Sequence, residues 1–152
     1  MNYEIDNLDK QILSLLMLDV MRPYTDIAKE LGVSGGTIHV RMKKLTEMGV
    51  VKGAHLLVNP SAVGFDICAF IGVFLEKGSE YKETVEKMRE IPEIVELHYT
   101  TGSYSMFAKI ICRDTNHLRR VLNEKLQPIE GVQRTETLIS LEESINRQII
   151  ID

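Results

Sequence analysis

The sequence predicts an α+β protein in two parts, a group of three short helices followed by a ferredoxin-like βαββαβ sandwich. Apolar residues recur at helical spacing in three successive segments of the first part. The second part follows the order strand, helix, strand, strand, helix, strand, which is the split βαβ arrangement. The turn-rich stretch NPSAVG, residues 59–64, separates the two patterns. We therefore predict one domain over residues 1–59 and another over residues 60–152.

The first two helices have start and stop signals in the sequence. The first is predicted over residues 6–19, with Asp6 or Asn7 as its cap. The second begins at Pro23, which suits the first turn of a helix. It ends at Gly32, because glycine readily takes the left-handed conformation that closes a helix.

The third helix is predicted over residues 35–48, with Ser34 as its N-cap. Its buried stripe at helical spacing consists of Ile38, Met42 and Leu45. Residues 50–58 should be extended, as a small wing or a linking strand. The first domain is therefore predicted to be a winged-helix-like helix-turn-helix.

The second domain alternates strands and helices, and its first strand is apolar on both faces. The predicted strands are 66–76, 94–102, 103–113 and 132–141, and the predicted helices are 79–91 and 116–127. In this arrangement both helices cover the same face of the sheet. We therefore expect the other face to pair with a second copy of the chain, giving a homodimer.

Composition and charge favour a globular protein of the cytoplasm without a membrane partner. Hydrophobic residues make up 44% of the chain and charged residues 26%. No apolar run approaches the roughly 20 residues of a membrane span, and the acidic N-terminus lacks the layout of a signal peptide. Residues 1–60 hold seven basic and seven acidic side chains, so the net charge of -4 comes from residues 61–152. The acidic total therefore does not exclude DNA binding by the first domain.

The cysteines and histidines form no recognisable metal or catalytic pattern. Cys68 and Cys112 lie in apolar runs, with no C-x-x-C motif and no histidine at ligand spacing. We expect buried, reduced thiols. The four histidines are scattered, at His39, His55, His98 and His117. The sequence therefore predicts neither a metal nor a cofactor.

The stretch GVSGG, residues 32–36, matches the G-x-S-x-G pattern of serine hydrolases. A nucleophile elbow needs a strand before the serine, whereas a helix is predicted before Ser34. No acid and histidine stand nearby to complete a triad. In the helix-turn-helix interpretation, Gly32 permits the turn and Ser34 caps the next helix. We therefore predict that the chain is not an enzyme.

A helix-turn-helix places the N-terminal part of its second helix in the major groove of DNA. Residues 34–52 carry four basic side chains against one acidic side chain, Glu47. Glycines in the first helical turn let the backbone approach a phosphate, which the helix N-terminus attracts. The candidate DNA-binding residues are Ser34, Gly35, Gly36, Thr37, His39, Arg41, Lys43 and Lys44. A solvated basic helix face would give the same charge pattern.

The chain carries five stretches typical of one family: IDNLDKQIL, IAKELGVSGGTIHVRMKKLTEMGVV, CAFIGVFLEK, HYTTGSYSMFAKI and TETLISL. Through them it resembles the Lrp/AsnC family of bacterial and archaeal transcription regulators over nearly its whole length. The similarity is greatest to the asparagine-responsive branch. The turn TTGSYS and the closing TETLISL are more specific than the helix-turn-helix, which many regulators share.

The resemblance implies a DNA-binding regulator whose second domain senses a small amino acid, with asparagine as the expected effector. In this family dimers form through the sheets and assemble into octamers or larger rings, and the amino acid binds between dimers. The implied effector residues are Tyr99, Thr100, Thr101, Gly102, Ser103, Tyr104, Ser105, Gln127, Thr135, Glu136 and Thr137. Hydroxyls and backbone amides of such a turn suit the carboxylate and ammonium of a free amino acid.

Two alternatives remain open for the second domain. The turn could be a plain hairpin with solvated hydroxyls, and the chain could be a global, architectural DNA-organising protein with a weak or degenerate ligand site. Many relatives carry an acidic residue after the Thr-Gly of the turn, where this sequence has Ser103 and Ser105. That departure leaves the partner of the ligand ammonium open, with Glu136 as one candidate.

Overall fold

The computed structural model describes residues 4–76 and 81–151 of the 152-residue chain. Its contacts divide the chain into two compact units. The first unit contains the residues up to Leu57 together with the C-terminal segment from Ile145, and the second contains Val58–Ser144. The domain boundary predicted from the sequence differs in keeping the C-terminal segment with the second domain.

Three helices form the first unit: α1 (Asn7–Leu18), α2 (Tyr24–Leu31) and α3 (Gly35–Glu47). A capping box opens α1, because the side chains of Asp6 and Asp9 each accept a hydrogen bond from the other's backbone N–H. Gly32 ends α2 with a φ of 67°, in the left-handed region. The predicted helix-turn-helix is confirmed.

The core of the first unit lies where the three helices meet, and its buried side chains are Ile12, Leu16, Ile27, Ala28 and Ile38. The C-terminal segment adds a contact on α1, where the Ser14 hydroxyl donates to the carbonyl of Ile151 over 3.4 Å. Residues 51–59 form neither a helix nor a strand, so the wing strand expected over residues 50–58 is not formed. An isolated strand lacks the paired neighbour that stabilises a hairpin.

The second unit is an antiparallel sheet with two helices on one face. Its strands are β1 (Ile67–Leu75), β2 (Ile94–Tyr99), β3 (Met106–Cys112) and β4 (Val132–Ile139), in the order β2-β3-β1-β4. Its helices are α4 (Tyr81–Arg89) and α5 (Thr115–Arg120), and α5 continues as a π-helical segment, Val121–Leu126. The order βαββαβ is the one that the sequence predicts.

Alternate residues of β1 point to opposite faces of the sheet. Ala69, Ile71 and Val73 are fully buried and join Met88 of α4 and Val121 in the hydrophobic core. The opposite side of the sheet, which we call the open face, carries Phe70, Gly72 and Phe74 of β1. The helices therefore cover one face of a strand that is apolar on both.

A row of aromatic rings crosses the open face. The ring centroids lie 5.8 Å apart for Phe70 and Phe107, 5.7 Å for Phe107 and Tyr104, and 5.2 Å for Tyr104 and Phe74. Gly72 lies beneath the Tyr104 ring, and a Cβ atom at this position would overlap ring carbons. Glycine is therefore required here to let a ring lie against the strand.

Both cysteines are free thiols, and Cys112 is buried as predicted, whereas Cys68 is only half-buried. Burial raises the pKa of Cys112, in the core, to about 11, and it also raises the pKa of Cys68 on the open face. Within residues 4–76 and 81–151, no three His, Cys, Asp or Glu side chains come together as a metal-binding group. None of the helices in the described part of the chain has the length and apolar character needed to cross a membrane.

Candidate nucleic-acid interface and effector turn

Ser34 serves as the N-cap of α3. Its hydroxyl accepts a hydrogen bond from the Thr37 N–H at 3.1 Å and lies 2.9 Å from the Thr37 hydroxyl. The segment before it is α2, a helix, rather than the strand that a nucleophile elbow requires. The serine thus stabilises the helix N-terminus by satisfying one of its free backbone donors.

The outer side of α3 is a basic and partly apolar surface. Its exposed residues are Gly36, His39, Val40, Lys43 and Lys44. A shallow depression of about 460 Å³ lies on the same side, lined by Gly36, Thr37, Val40, Arg41 and Lys44. Lys43 and Lys44, in the second half of the helix, and the helix N-terminus together form a surface suited to a polyanion.

His39 is only partly available to this surface. Its ring lies edge-on to the ring of Tyr24, the first residue of α2, with centroids 4.8 Å apart. The pair fastens the start of α2 to the middle of α3. His39 therefore has a packing role beside any contact with DNA.

Arg41 binds two carboxylates of α1. One guanidinium nitrogen lies 2.7 Å from Asp6 and 2.9 Å from Asp9. Asp9 is fully buried and the Arg41 side chain is 24% exposed. Hydrogen bonds to the two aspartates raise the pKa of Arg41. The Asp9 N–H and then Arg41 hold the pKa of Asp6 below its ordinary value.

This ion pair gives Arg41 a structural role beside the DNA contact expected for it. The sequence predicts a DNA-binding side chain at this position, and the structure shows that it also holds α3 against α1. Helical spacing could not reveal the contact, because its partners lie more than thirty residues away. The available signal was the pair of carboxylates at the start of α1, Asp6 and Asp9, which a cation on another helix could bind together.

The turn between β2 and β3 is closed by its own hydrogen bonds. The Thr100 N–H donates to the Ser105 carbonyl at 3.2 Å, and the Thr100 hydroxyl donates to the Tyr104 carbonyl at 2.9 Å. Gly102 has a φ of 104°, which other residues adopt only under strain. Thr101 and Ser103, on either side of it, are exposed. The exposed part of the turn is therefore polar and held in a fixed shape.

Ser105 attaches this turn to β1. Its N–H donates to the Val73 carbonyl at 2.9 Å, and its hydroxyl accepts from the Leu75 N–H at 3.3 Å. Val73 also pairs with Thr135 of β4. The side-chain amide of Gln127 donates to the Thr135 hydroxyl at 3.3 Å. The structure therefore brings the turn, the end of the π-helical segment and the start of β4 to one end of the sheet.

The π-helical segment sets the position of Gln127. Its N–H donates to the carbonyl of Leu122, five residues earlier, at 2.8 Å. An i to i−5 hydrogen bond widens the helix and rotates the residues that follow, relative to an α-helix. Sequence periodicity misses this feature, because the apolar spacing of residues 116–127 also suits an α-helix.

Tyr104 and Glu136 lie on the open face, across the sheet from Gln127 and Thr135. Glu136 pairs with Gly72, beneath the Tyr104 ring. A hydrogen bond between the tyrosine and Glu136 is the main cause that raises the pKa of Tyr104. Glu136 was the candidate partner of the ligand ammonium, and within one chain it is occupied by Tyr104. The alternation of side chains along β4 makes this separation unavoidable.

The other two candidate effector residues lie at the sheet edges. Tyr99, in β2, is exposed, and the centroid of its ring lies 4.4 Å from the centroid of the Tyr81 ring. Thr137, in β4, is exposed and pairs with Ile71. Both strands are edges of the sheet, so these side chains border solvent.

A second polar cluster lies at the opposite end of β2 and supports the fold. Oε1 of Glu93 lies 2.6 Å from the Lys125 ammonium and 3.1 Å from Nε2 of His117. Nδ1 of His117 accepts from the Arg113 N–H at 3.2 Å, so Nε2 carries the proton that is donated to Glu93. Burial raises the pKa of Glu93, and the Lys125 and His117 hydrogen bonds outweigh it, so the net direction is downward.

Comparison with known proteins assigns both units. Residues 5–46 match the AsnC-type helix-turn-helix domain, and residues 68–150 match the Lrp/AsnC ligand binding domain. The chain belongs to the Lrp/AsnC family. Its relatives in this family are transcription regulators, so the protein is a DNA-binding transcription regulator and not an enzyme.

Two relatives show how far this Lrp/AsnC similarity extends. The chain is 44% identical to the regulatory protein AsnC of Escherichia coli K12 over 148 residues, covering 97% of each. The structure of E. coli AsnC matches with a TM-score of 0.91 and 43% identity, over 97% of this chain and 99% of that one. The feast or famine regulatory protein of M. tuberculosis, complexed with L-methionine, shares the fold with a TM-score of 0.90 and 24% identity, over 97% and 99%.

Proposed function

We propose that this Lrp/AsnC regulator binds specific DNA sites through the outer side of α3, and that a small amino acid at the 100–105 turn changes its assembly or its DNA affinity. Asparagine is the first effector to test, because the AsnC relatives share over 40% of their residues with this chain. The protein would act in the cytoplasm, where its DNA is.

The DNA part of the proposal depends on the exposed cations of α3. Lys43 and Lys44 extend from the outer side, while Ser34, Gly35, Gly36 and Thr37 form a helix N-terminus able to hold a phosphate. His39 stands beside them. Arg41 positions the helix through its carboxylate partners on α1. In this arrangement the lysines supply sequence-independent affinity, and the first turns of α3 face the bases.

Lysine variants test the DNA part directly. DNA duplexes selected from a random library would be titrated with Lys44→Ala, with the exposed Lys82→Ala on α4 as the control, at several salt concentrations. We expect Lys44→Ala to weaken binding and to reduce the slope of log K against log salt by about 0.9, one phosphate contact. Equal slopes for the two variants would contradict the proposed interface.

The effector part is supported by the polar groups gathered at one end of the sheet. The exposed hydroxyls of Thr101 and Ser103 flank Gly102, whose lack of a side chain lets a ligand approach the backbone. Gln127 and Thr135 lie beyond Ser105 at the same end. The methionine complex of the M. tuberculosis relative supports an amino acid as the class of ligand.

The open face supports assembly through the sheets. Its aromatic row lies beside the exposed apolar side chain of Leu138 on β4. Covering such a row removes apolar area from water, which stabilises the assembly by about 25 cal/mol of free energy for each Å² buried. We propose a homodimer through this face, which assembles into an octamer or larger ring and binds the effector between dimers. Tyr104 and Glu136 of one chain then reach the dimer interface rather than the effector. Sedimentation of the purified protein measures the assembly.

Thermal unfolding against each of the twenty amino acids at millimolar concentration tests the effector part. A ligand at about 100 times its Kd adds about 2.7 kcal/mol, a shift of several degrees. We expect a shift with asparagine or a small polar subset, and we expect Ser103→Ala to reduce it while Ser61→Ala, an exposed serine elsewhere in the unit, does not. A flat result with all twenty would favour the architectural DNA-organising alternative.

A further inference from the structure

Val40 is an exposed apolar residue in the middle of α3. Its exposed fraction is 61%, whereas Ile38 and Leu45 of the same helix are fully buried and Met42 is half-buried. Val40 therefore contributes nothing to the core of the first unit. A β-branched residue is also a weak helix former, so helix propensity does not explain it.

Gly36 lies one helical turn before Val40 on the same side. Apart from the Ser34 hydroxyl, 3.7 Å away, a Cβ atom at Gly36 would meet open space. The missing side chain leaves Val40 as the apolar wall of the depression that Thr37, Arg41 and Lys44 also line. Glycine in a helix costs up to about 1 kcal/mol against alanine. Packing within the chain therefore explains neither residue.

The charges around this depression indicate which kind of molecule binds there. Lys44 lines it and the exposed Lys43 precedes Lys44 in the same helix, which favours a polyanion over an apolar peptide. The apolar group that duplex DNA presents in its major groove is the C5-methyl of thymine. That methyl is small enough to lie between a glycine and a valine one turn apart on a helix.

We propose that Gly36 and Val40 form a contact site for the methyl group of one thymine in each half-site, and that this contact determines sequence preference at that base pair. The inference rests on the proposed docking of α3 in the major groove. In this site Val40 supplies the apolar surface, Gly36 supplies the space, and the lysines fix the register on the phosphates.

Replacing thymine by deoxyuridine removes the methyl alone. Duplexes would be selected with the wild-type protein from a random library, and each thymine of the selected site would be replaced in turn. We expect one position per half-site at which the replacement weakens wild-type binding about fourfold, the effect of one buried methyl. Val40→Ala should lose this sensitivity, and Val63→Ala, equally exposed in the second unit, should keep it.

Gly36→Ala separates the contact from folding. Alanine has the higher helix propensity and open space around its Cβ, so this variant should unfold at the same temperature as the wild type or higher. It should nevertheless weaken binding to the selected duplex, and the deoxyuridine duplex should recover part of the loss. A stable Gly36→Ala protein with unchanged affinity would overturn the inference.

The outcomes also distinguish this inference from the proposed function. If Lys44→Ala lowers affinity and the salt slope while Val40→Ala keeps the full sensitivity to deoxyuridine, the docking of α3 stands and the thymine contact is wrong. If wild-type protein binds every duplex without regard to thymine methyls, the thymine contact is wrong as well. If neither lysine nor valine variants alter binding, both fail.

Discussion

The outer side of α3 belongs to thirteen consecutive residues of one helix, whereas the residues expected around the effector come from a turn, a π-helical segment and an edge strand. The helix presents its side chains by its own geometry once Ser34 caps it. The effector residues depend on strand register, which places Gln127 and Thr135 on one face and Tyr104 and Glu136 on the other. A surface on one helix is therefore readable from sequence, and one shared by several strands is read only in part.

The largest effect should come from Gly72→Ala, on the multi-element side of this comparison. The new methyl overlaps the Tyr104 ring and forces the ring off the sheet, which should cost about 3 kcal/mol of unfolding free energy. Chemical denaturation measures the loss. The double variant Gly72→Ala with Tyr104→Ala should regain part of it, because the obstructing ring is gone. A double variant no more stable than Gly72→Ala alone would contradict this explanation.

Arg41→Ala should have the next largest effect, on the single-helix side. Removing the guanidinium leaves the buried Asp9 carboxylate without its cation, which should cost about 2 kcal/mol. Thermal and denaturant unfolding measure the loss. Arg41→Lys should recover only part of it, because the shorter lysine side chain has to bring its ammonium to the position that one guanidinium nitrogen holds between the two carboxylates.

The same variant tests whether Arg41 also binds phosphate. Under conditions where the protein is folded, Arg41→Ala should keep the wild-type salt slope for DNA binding, unlike Lys44→Ala. A slope lowered by about one phosphate contact would return Arg41 to the DNA interface.

Ser34→Ala should cost about 1 kcal/mol, since it removes the side-chain acceptor at the start of α3. Ser34→Asn should restore most of the stability, because asparagine is an equally good N-cap. Calorimetry of both variants provides the comparison. Equal stability of all three proteins would show that the cap is unimportant for α3.

The smallest effect concerns the charge of Asp6. Its pKa lies below the ordinary 3.8, so the carboxylate contributes stability above that pH and loses it as the pH falls through the lower folded value. Asp6→Asn keeps an acceptor for the cap and removes the charge. The wild type should therefore be the more stable at pH 6, and the difference should shrink as the pH falls below 3.8 and vanish below the folded pKa. Asp66→Asn, in the second unit, serves as the control, and a difference independent of pH would contradict the assignment.

Local signals predicted much of the fold. The caps at Asp6 and Ser34 and the left-handed Gly32 locate the helices to within a residue or two, because capping is decided by neighbours in the chain. The order of the second unit followed from apolar spacing. The predicted wing strand is absent, since residues 51–59 form no strand. Extended backbone forms a strand only beside a partner.

The candidate sites divide in the same way. The sequence indicated the basic face of α3 and the polar turn around Gly102. Each of these two sites consists of residues that are close together in the chain. It missed Val40, although an apolar residue off the buried stripe was a visible signal. It also did not show that Arg41 is paired with Asp9, because this contact appears only when α1 and α3 pack together.

The sequence by itself determined the helix boundaries, the succession of strands and helices, and the family, because each depends on residues close in the chain or on whole motifs. Only the tertiary structure decided which cation of α3 faces solvent and which is paired on α1. It alone placed Tyr104 over Gly72 and separated Glu136 from Gln127. These outcomes depend on the register between strands and on packing between helices distant in sequence, and no local pattern encodes either.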